Sequence, residues 1–283
     1  MKRYQWITVA VAILLIAVLY LFGKTVPEKK SVTNTQLSNS ETAVTSITID
    51  TILALAKKEL STEQVVRLNT LENSISRGDV KDQKLKVYHQ LAHFWGDTAN
   101  IFESYAWYEA EAARLENSEK SLTFVARLFL DNLQTDENLQ RRQWKALQAK
   151  DLFERSLNIN PGSDSSKIGL GACYIFGDIS AMPMEGISKI RQVVDKDSTN
   201  VYGQIMLAKG SVRSGQYDRA IARLQTVIRL QPANIEAVLL IADVYERMDD
   251  KKNAILWYQA SLQHVNRQDI KDEIEKRIKE LNK

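Results

Sequence analysis

Ala220 and Ala254 stand 34 residues apart, and the residues around them repeat in kind: Ala220-x3-Leu224 matches Ala254-x3-Tyr258, and upstream Leu207-Ala208 matches Ile241-Ala242. One period earlier, 34 residues before Ala220, Gly186-x3-Ile190 holds the same positions, and the first half of that unit carries Leu170-Gly171-x2-Tyr174. Pro161 and Pro232, 71 residues apart, occupy equivalent last-turn positions, which is two periods plus a three-residue insertion. Ala149-x3-Phe153, with Pro161 twelve residues after the alanine, repeats the spacing from Ala220 to Pro232. A chain that restates one pattern at this length is an array of copies of a single unit. No copy can bury its apolar face alone, so the copies must stack.

The copies are helical. Four prolines and eleven glycines in 283 residues are too few for an all-β chain, which needs turn residues at every reversal. At this point the chain resembles the tetratricopeptide repeat (TPR) family, whose pattern Leu-Gly-x2-Tyr, Ala-x3-Phe, Pro these residues follow. The resemblance covers about 164–266 and, more loosely, 119–163. It departs from the family in lacking the early tryptophan, in an insertion around Ile179 to Met184, and in an elongated unit near 134–145. Gly171, Ala208, Ala220, Ala242 and Ala254 are small where paired helices cross, and bulkier side chains there would overpack at about 1–3 kcal/mol.

The fold expected is therefore an all-α, helix-turn-helix TPR solenoid preceded by one N-terminal transmembrane helix. Before residue 119 only the helix-pair period survives, so 50–118 reads as divergent helical pairs. Ser61 with Gln64 resembles a capping box opening a helix that stops at Gly78. Leu85, Tyr88, Leu91, Ala92 and Trp95 form one stripe ending at Gly96, with Asp97 capping the next helix. The repeats run over 119–266, and 267–283 reads as a C-terminal capping helix, with Ile270, Ile274, Ile278 and Leu281 on one stripe. Asp272 with Lys276 and Glu273 with Arg277 are set for i, i+4 pairs on its polar side.

The N-terminal segment is of another kind. Ile7 to Phe22 carries side-chain polar groups only at Thr8 and Tyr20, and Gln5 to Gly23 reaches the roughly 20 residues that span a bilayer. Tyr20-Leu21-Phe22-Gly23-Lys24 offers no small-residue cleavage site, so 1–25 reads as a retained anchor rather than a removed signal. Residues 26–49, rich in Ser, Thr and Asn, read as a flexible tether. Lys2 and Arg3 on one side nearly cancel Lys24, Lys29 and Lys30 on the other. A short tail left in the cytoplasm places the body outside it, so the localisation expected is the plasma (inner) membrane, single-pass, with an extracytoplasmic or periplasmic body. Residues 1–30 carry +4 of the total charge of +3, leaving −1 for the remainder. A nearly neutral body gives no reason to expect nucleic acid.

Chemistry has few candidates. His89 and His93 lie at i, i+4 with Asp97 one turn on, but no fourth metal ligand is evident, and Asp97 is better explained as a cap. Cys173, the sole cysteine, reads as a small buried hydrophobe. No phosphate loop, nucleophile elbow or HExxH motif appears, so neither an enzyme nor a cofactor or metal is expected. Trp107 projects from a mostly polar helix face, flanked by Asn100, Glu103, Glu111 and Arg114. That setting suits a partner anchor, or packing on the adjacent helix pair.

What the TPR resemblance implies is binding of a protein or peptide partner in a concave groove lined by the first helix of each unit. Transferred by register, the lining is Ile168, Ala172 and Ile175 from one unit, Tyr202, Ile205, Lys209, Val212 and Arg213 from the next, and Leu239, Asp243, Glu246 and Arg247 from the last. The family's Lys/Asn clamp for a terminal carboxylate is not supported, because those positions hold Ile168, Ala172, Ile205, Met206 and Leu239. The function expected is a membrane-tethered scaffold or adaptor, chaperone-like in the cell envelope. The alternative is a structural, self-associating repeat protein, with homo-oligomerisation open in either case.

Overall fold

The computed structural model describes residues 47–77, 80–180 and 183–283, all within the unit Thr45–Lys283. The expected anchor and most of the expected tether lie outside these residues. Among the described residues every regular element is helical, and none is long and apolar enough to cross a membrane.

The first helices form where local capping supplies the free N–H groups. Thr48 Oγ1 accepts from the Thr51 N–H at 3.3 Å and opens α1 (Ile49–Lys57), so helix begins at the last residues assigned to the tether. Ser61 and Gln64 close both hydrogen bonds of a capping box, at 2.8 and 3.3 Å, and open α2 (Thr62–Arg77). α3 (Lys81–His93) does not stop at Gly96. It widens into a π-helical turn, Phe94–Thr98, in which the Ala99 N–H reaches back to the Phe94 carbonyl at 3.0 Å. The wide turn lets Phe94 and Trp95, adjacent in sequence, both become fully buried. The cap of α4 (Phe102–Glu116) is Ile101, not Asp97.

The repeats follow. α5 (Glu119–Leu133) is capped by Ser118 and pairs with α6 (Leu139–Ile159), whose 21 residues make the elongated unit. α7 (Asp164–Phe176) pairs with α8 (Pro183–Lys196), α9 (Val201–Arg213) with α10 (Tyr217–Leu230), and α11 (Ile235–Arg247) with α12 (Lys251–Ser261). The last two pairs keep the period at their starts: α9 and α11 begin 34 apart, α10 and α12 likewise, although α10 runs 14 residues and α12 runs 11. Their first helices are capped alike, Asn200 accepting from the Gly203 N–H at 2.9 Å and Asn234 from the Ala237 N–H at 3.0 Å. The three-residue insertion sits between α7 and α8. At the α7–α8 crossing, a Cβ on Gly171 would lie 2.6 Å from the Gly186 carbonyl oxygen, so the backbones touch there. The following pairs use alanine, Ala208 with Ala220 and Ala242 with Ala254, all without exposed surface.

Two polar clusters are built into the packing. Lys145, 2% exposed, sits in α6 with its Nζ at 2.6 Å from Asp136, 2.7 Å from Glu103 and 2.6 Å from Asn132. Arg141 closes on the same Asp136 carboxylate at 3.0 Å. Burial works to raise the Asp136 pKa, but the hydrogen bonds from Arg141 and Lys145 outweigh it and hold the group at about 2. About three turns further along α6, Ser156 and, on α7, Ser166 are fully buried and share a hydroxyl network with Thr123, at 2.8 to 3.0 Å, joining α5, α6 and α7. At the Lys145 end of α6, Trp144 packs edge-on to Phe129 at 5.6 Å and tilted to Trp107 at 6.5 Å, linking the divergent pairs to the repeats.

α13 (Gln268–Leu281) lies on α12, with Ile274 buried and Ile270, Ile278 and Leu281 half-buried against Tyr258 and Val265. Its charges are spent differently from the sequence expectation. Arg277 turns to Glu246 of α11 and to Glu280 at 3.0 Å rather than to Glu273, and Asp272 accepts from Gln268 at 2.9 Å. A partner on another helix fixes the position of α13, which a pair within it would not.

Candidate functional site

First helices of a stacked array face one another, and where successive ones diverge, their side chains line an open cleft. α9 and α11 do this. A cleft of about 810 Å3 collects Lys209, Val212 and Arg213 from α9 and Leu240, Asp243, Val244 and Arg247 from α11, with Arg142 of α6 and Phe176 of α7 at its far wall. Five of the residues named from the family register, Lys209, Val212, Arg213, Asp243 and Arg247, are thus brought together. Arg142, Phe176, Leu240 and Val244 were not foreseen. Leu240 and Val244 share a helix face with the flagged Asp243 and Arg247 and were within reach of the pattern. Arg142 comes from the elongated unit, where the register is lost.

The charges at the cleft are largely engaged. Lys209 meets Glu236 at 2.8 Å. Asp178, held at a left-handed φ of 52° in the α7–α8 loop, receives Arg142 at 2.8 Å and Arg213 besides. Arg247 has no ion pair among the described residues and is exposed. Asp243 accepts a 2.5 Å hydrogen bond from the Tyr258 hydroxyl. Burial raises the Asp243 pKa above the usual carboxylate range and Glu246 adds to this, while the Tyr258 hydrogen bond opposes it. The wall is thus cationic at its open edge and apolar at Phe176, Val212, Leu240 and Val244.

The remaining named residues lie elsewhere. Ile168 and Ala172 are 0% exposed, and Ile175 and Ile205 are 4% exposed, so the expected aliphatic floor is core and not surface. α9 covers Ile168 and Ile175: its backbone at Gly203 and Gly210 lies over α7, where a Cβ would meet Ile168 Cδ1 at 3.4 Å and Ile175 Cγ2 at 3.5 Å, in ordinary contact. Tyr202 is half-buried under the Arg127 guanidinium, 4.1 Å from the ring centre, which ties α5 to α9 across α7. Burial pushes its hydroxyl pKa up to about 12. Leu239 packs toward α13 and borders a second hollow of about 470 Å3 with Ile270 and Ile274. Glu246 is occupied by Arg277. Trp107 packs on Trp144 and lies 5.3 Å from the Arg114 guanidinium, so packing on the adjacent pair describes it and a free anchor does not.

The histidines diverge. His89 Nδ1 faces Glu109 at 3.4 Å, and His93 Nδ1 faces Asp97 at 3.0 Å. Among the described residues no three His, Cys, Asp or Glu side chains are grouped to hold a metal. Cys173 is fully buried, and burial pushes its thiol pKa up, away from reactivity.

No family model matches the chain, and no curated protein matches it. Among solved structures, it is similar to TTC0263, a thermophilic TPR protein of Thermus thermophilus, at 13% identity over 71% of this chain and 98% of that one, with a TM-score of 0.52. It is also similar to residues 41 to the end of MamA from Desulfovibrio magneticus RS-1, at 19% identity over 66% and 96%, and to YrrB, described as a TPR protein with an unusual peptide-binding site, at 12% over 73% and 97%; both have a TM-score of 0.40. The likeness to the Thermus protein shows the fold: an all-α helical repeat solenoid of the TPR kind.

Proposed function

We propose that this protein is a membrane-tethered scaffold or adaptor that holds an extended segment of a protein partner in the cleft between α9 and α11. The observation that carries the reading is the cleft itself. Its volume of about 810 Å3 and its apolar wall beside Lys209, Arg213 and Arg247 suit a peptide segment with a negative edge. Membrane attachment, a body on the extracytoplasmic side of the plasma membrane and a chaperone-like role in the envelope belong to the proposal. They rest on the apolar run from Ile7 to Phe22 and on the short charged tail before it.

Two measurements test it. In membranes, a photo-crosslinker at Thr135, exposed on the wall of the same cleft, should capture a partner. Lys209→Gln with Arg247→Gln should lower capture about a hundredfold, the loss of two charge-assisted contacts of about 1.5 kcal/mol each, with helicity unchanged, while Lys252→Gln on α12 leaves capture intact. Capture indifferent to the charges of the cleft would remove it as the site. The full-length chain should stay in the membrane pellet at high salt, and removal of residues 1–30 should release a folded body, because burial of an apolar span is not screened by ions. Release of the intact chain by salt would end the tether reading.

A further inference from the structure

Away from the cleft, Arg191 of α8 and Arg219 and Arg223 of α10 line one small hollow of about 70 Å3, closed on its third side by Leu207, Gly210 and Ser211 of α9. Among the described residues none of the three guanidinium groups is in an ion pair. Arg223 gives one N–H to the Gln204 side-chain oxygen at 2.9 Å, and Arg219 gives one to Gln216 at 2.6 Å; both acceptors are neutral amides. A guanidinium carries five N–H donors, so most of the donors at this hollow are unspent. The local hydroxyls do not change the balance, because Ser211 donates to the Leu207 carbonyl at 2.9 Å and Ser214 to that of Gly210 at 3.1 Å.

Three like charges beside one hollow repel each other. The Arg223 pKa is lowered, first by burial and then by Arg191, with Asp195 the carboxylate that pulls the other way and Arg219 adding to the lowering. Asp195 is not within ion-pair distance of any of the three. By contrast Arg142 and Arg213 both close on Asp178. A donor-rich cation cluster with no carboxylate in ion-pair reach, Arg223 half-buried and Arg191 and Arg219 open to an incoming ligand, suits an external anion. The size of the hollow, several times the roughly 10–15 Å3 that one water requires, fits a compact one.

We propose that this hollow binds a phosphate group, its oxygens held by the N–H forks of Arg191, Arg219 and Arg223. The fork geometry of arginine matches phosphate oxygens two at a time, which selects phosphate over a single-point anion such as chloride. Met184 stands 63% exposed on the rim next to Ile187, so an apolar group borne by the phosphate would also find contact. The phosphate is supplied either free or as a lipid headgroup.

The test uses the full-length chain in neutral detergent. Inorganic phosphate, titrated calorimetrically against chloride at matched ionic strength, should bind at one saturable site. Arg191→Gln with Arg219→Gln, both exposed positions, should weaken binding about tenfold or more with helicity unchanged, as expected for lost charged hydrogen bonds. Arg223→Gln should do the same, and Arg229→Gln, exposed on α10 outside the hollow, should not. Phosphate behaving like chloride, or the double variant binding like wild type, would overturn the site. A short-chain phosphatidic acid below its micellar concentration separates the sources. Tighter binding than inorganic phosphate, reduced by Met184→Ser, assigns the headgroup, and equal affinity assigns the free ion; both sustain the site. Failure here leaves the cleft between α9 and α11 untouched, since the two share no residue proposed to contact a ligand.

Discussion

The Lys145 ammonium is taken out of water and held between Asp136 on one side and Glu103 on the other. Removing one of the two carboxylates leaves the buried cation to Glu103 alone and takes from Arg141 its close acceptor. Asp136→Asn should therefore lower stability by about 1–3 kcal/mol, measured by urea unfolding at neutral pH. The same carboxylate makes a pH prediction. Its folded pKa of about 2 lies below the unfolded value, so its contribution is complete above pH ~4 and is lost as pH falls toward 2, amounting to about 2 kcal/mol. A scan of stability over that window should show a slope in the wild type that Asp136→Asn lacks. At this scale the sequence was legible in part. The charges on α9 and α11 followed from register, but Ile168, Ala172, Ile175 and Ile205 were misplaced. Register says which way a residue points, not whether the next helix stands back or, as with Gly203 and Gly210 of α9, comes close enough to cover it. Ile205→Ser is accordingly a core substitution and no clean probe of binding.

Among the elements, α13 has the most to lose and the least to hold. It rests on the apolar edge of α12 through Ile274 and is fastened to α11 through Arg277 and Glu246. Truncation after Asn266 uncovers Tyr258, Trp257 and Leu239 together. In hydrogen exchange the amides of α11 and α12 should lose protection while those of α5 to α8 keep theirs, since each pair in an array is stabilised by its neighbours. Equal protection in the truncated chain would show that α13 caps nothing. The helices that repeat were the readable ones: α9 to α12 start at intervals fixed by the period, with Asn200 and Asn234 marking two of the starts. The end of α3 was not readable. Gly96 signals a stop, yet burial of Phe94 and Trp95 carries the helix through it as a π turn, and that gain comes from α4, whose Tyr105 ring lies against Gly96.

Across the whole described unit, stability is a sum of pair-by-pair terms with one junction that most of them share. Trp144 touches Phe129 within its own unit and Trp107 in the divergent pairs, so it bridges the two halves. Trp144→Ala should cost about 3–5 kcal/mol and should disturb α4 to α7 together, visible as two thermal transitions where the wild type gives one. A single, merely shifted transition would mean that the halves are coupled elsewhere. The architecture was legible because a period is a global signal, and the elongated unit near 134–145 showed as a departure from it; the buried charges around Lys145 did not show, because buried charge carries no periodicity.

The shared period of the last two pairs, with their three-residue turns and asparagine caps, has a consequence for how such a chain changes length. A duplicated stretch of 34 residues spliced into the α10–α11 turn would meet, on each side, a face already shaped for it, and the cleft would lengthen by one helix pair without a new contact having to be invented. The same splice beside α7 would confront backbone meeting backbone at Gly171 and Gly186 and the doubly held Asp178, with no matching face to receive it. The molecule thus has an end that can grow by copying and an end that cannot.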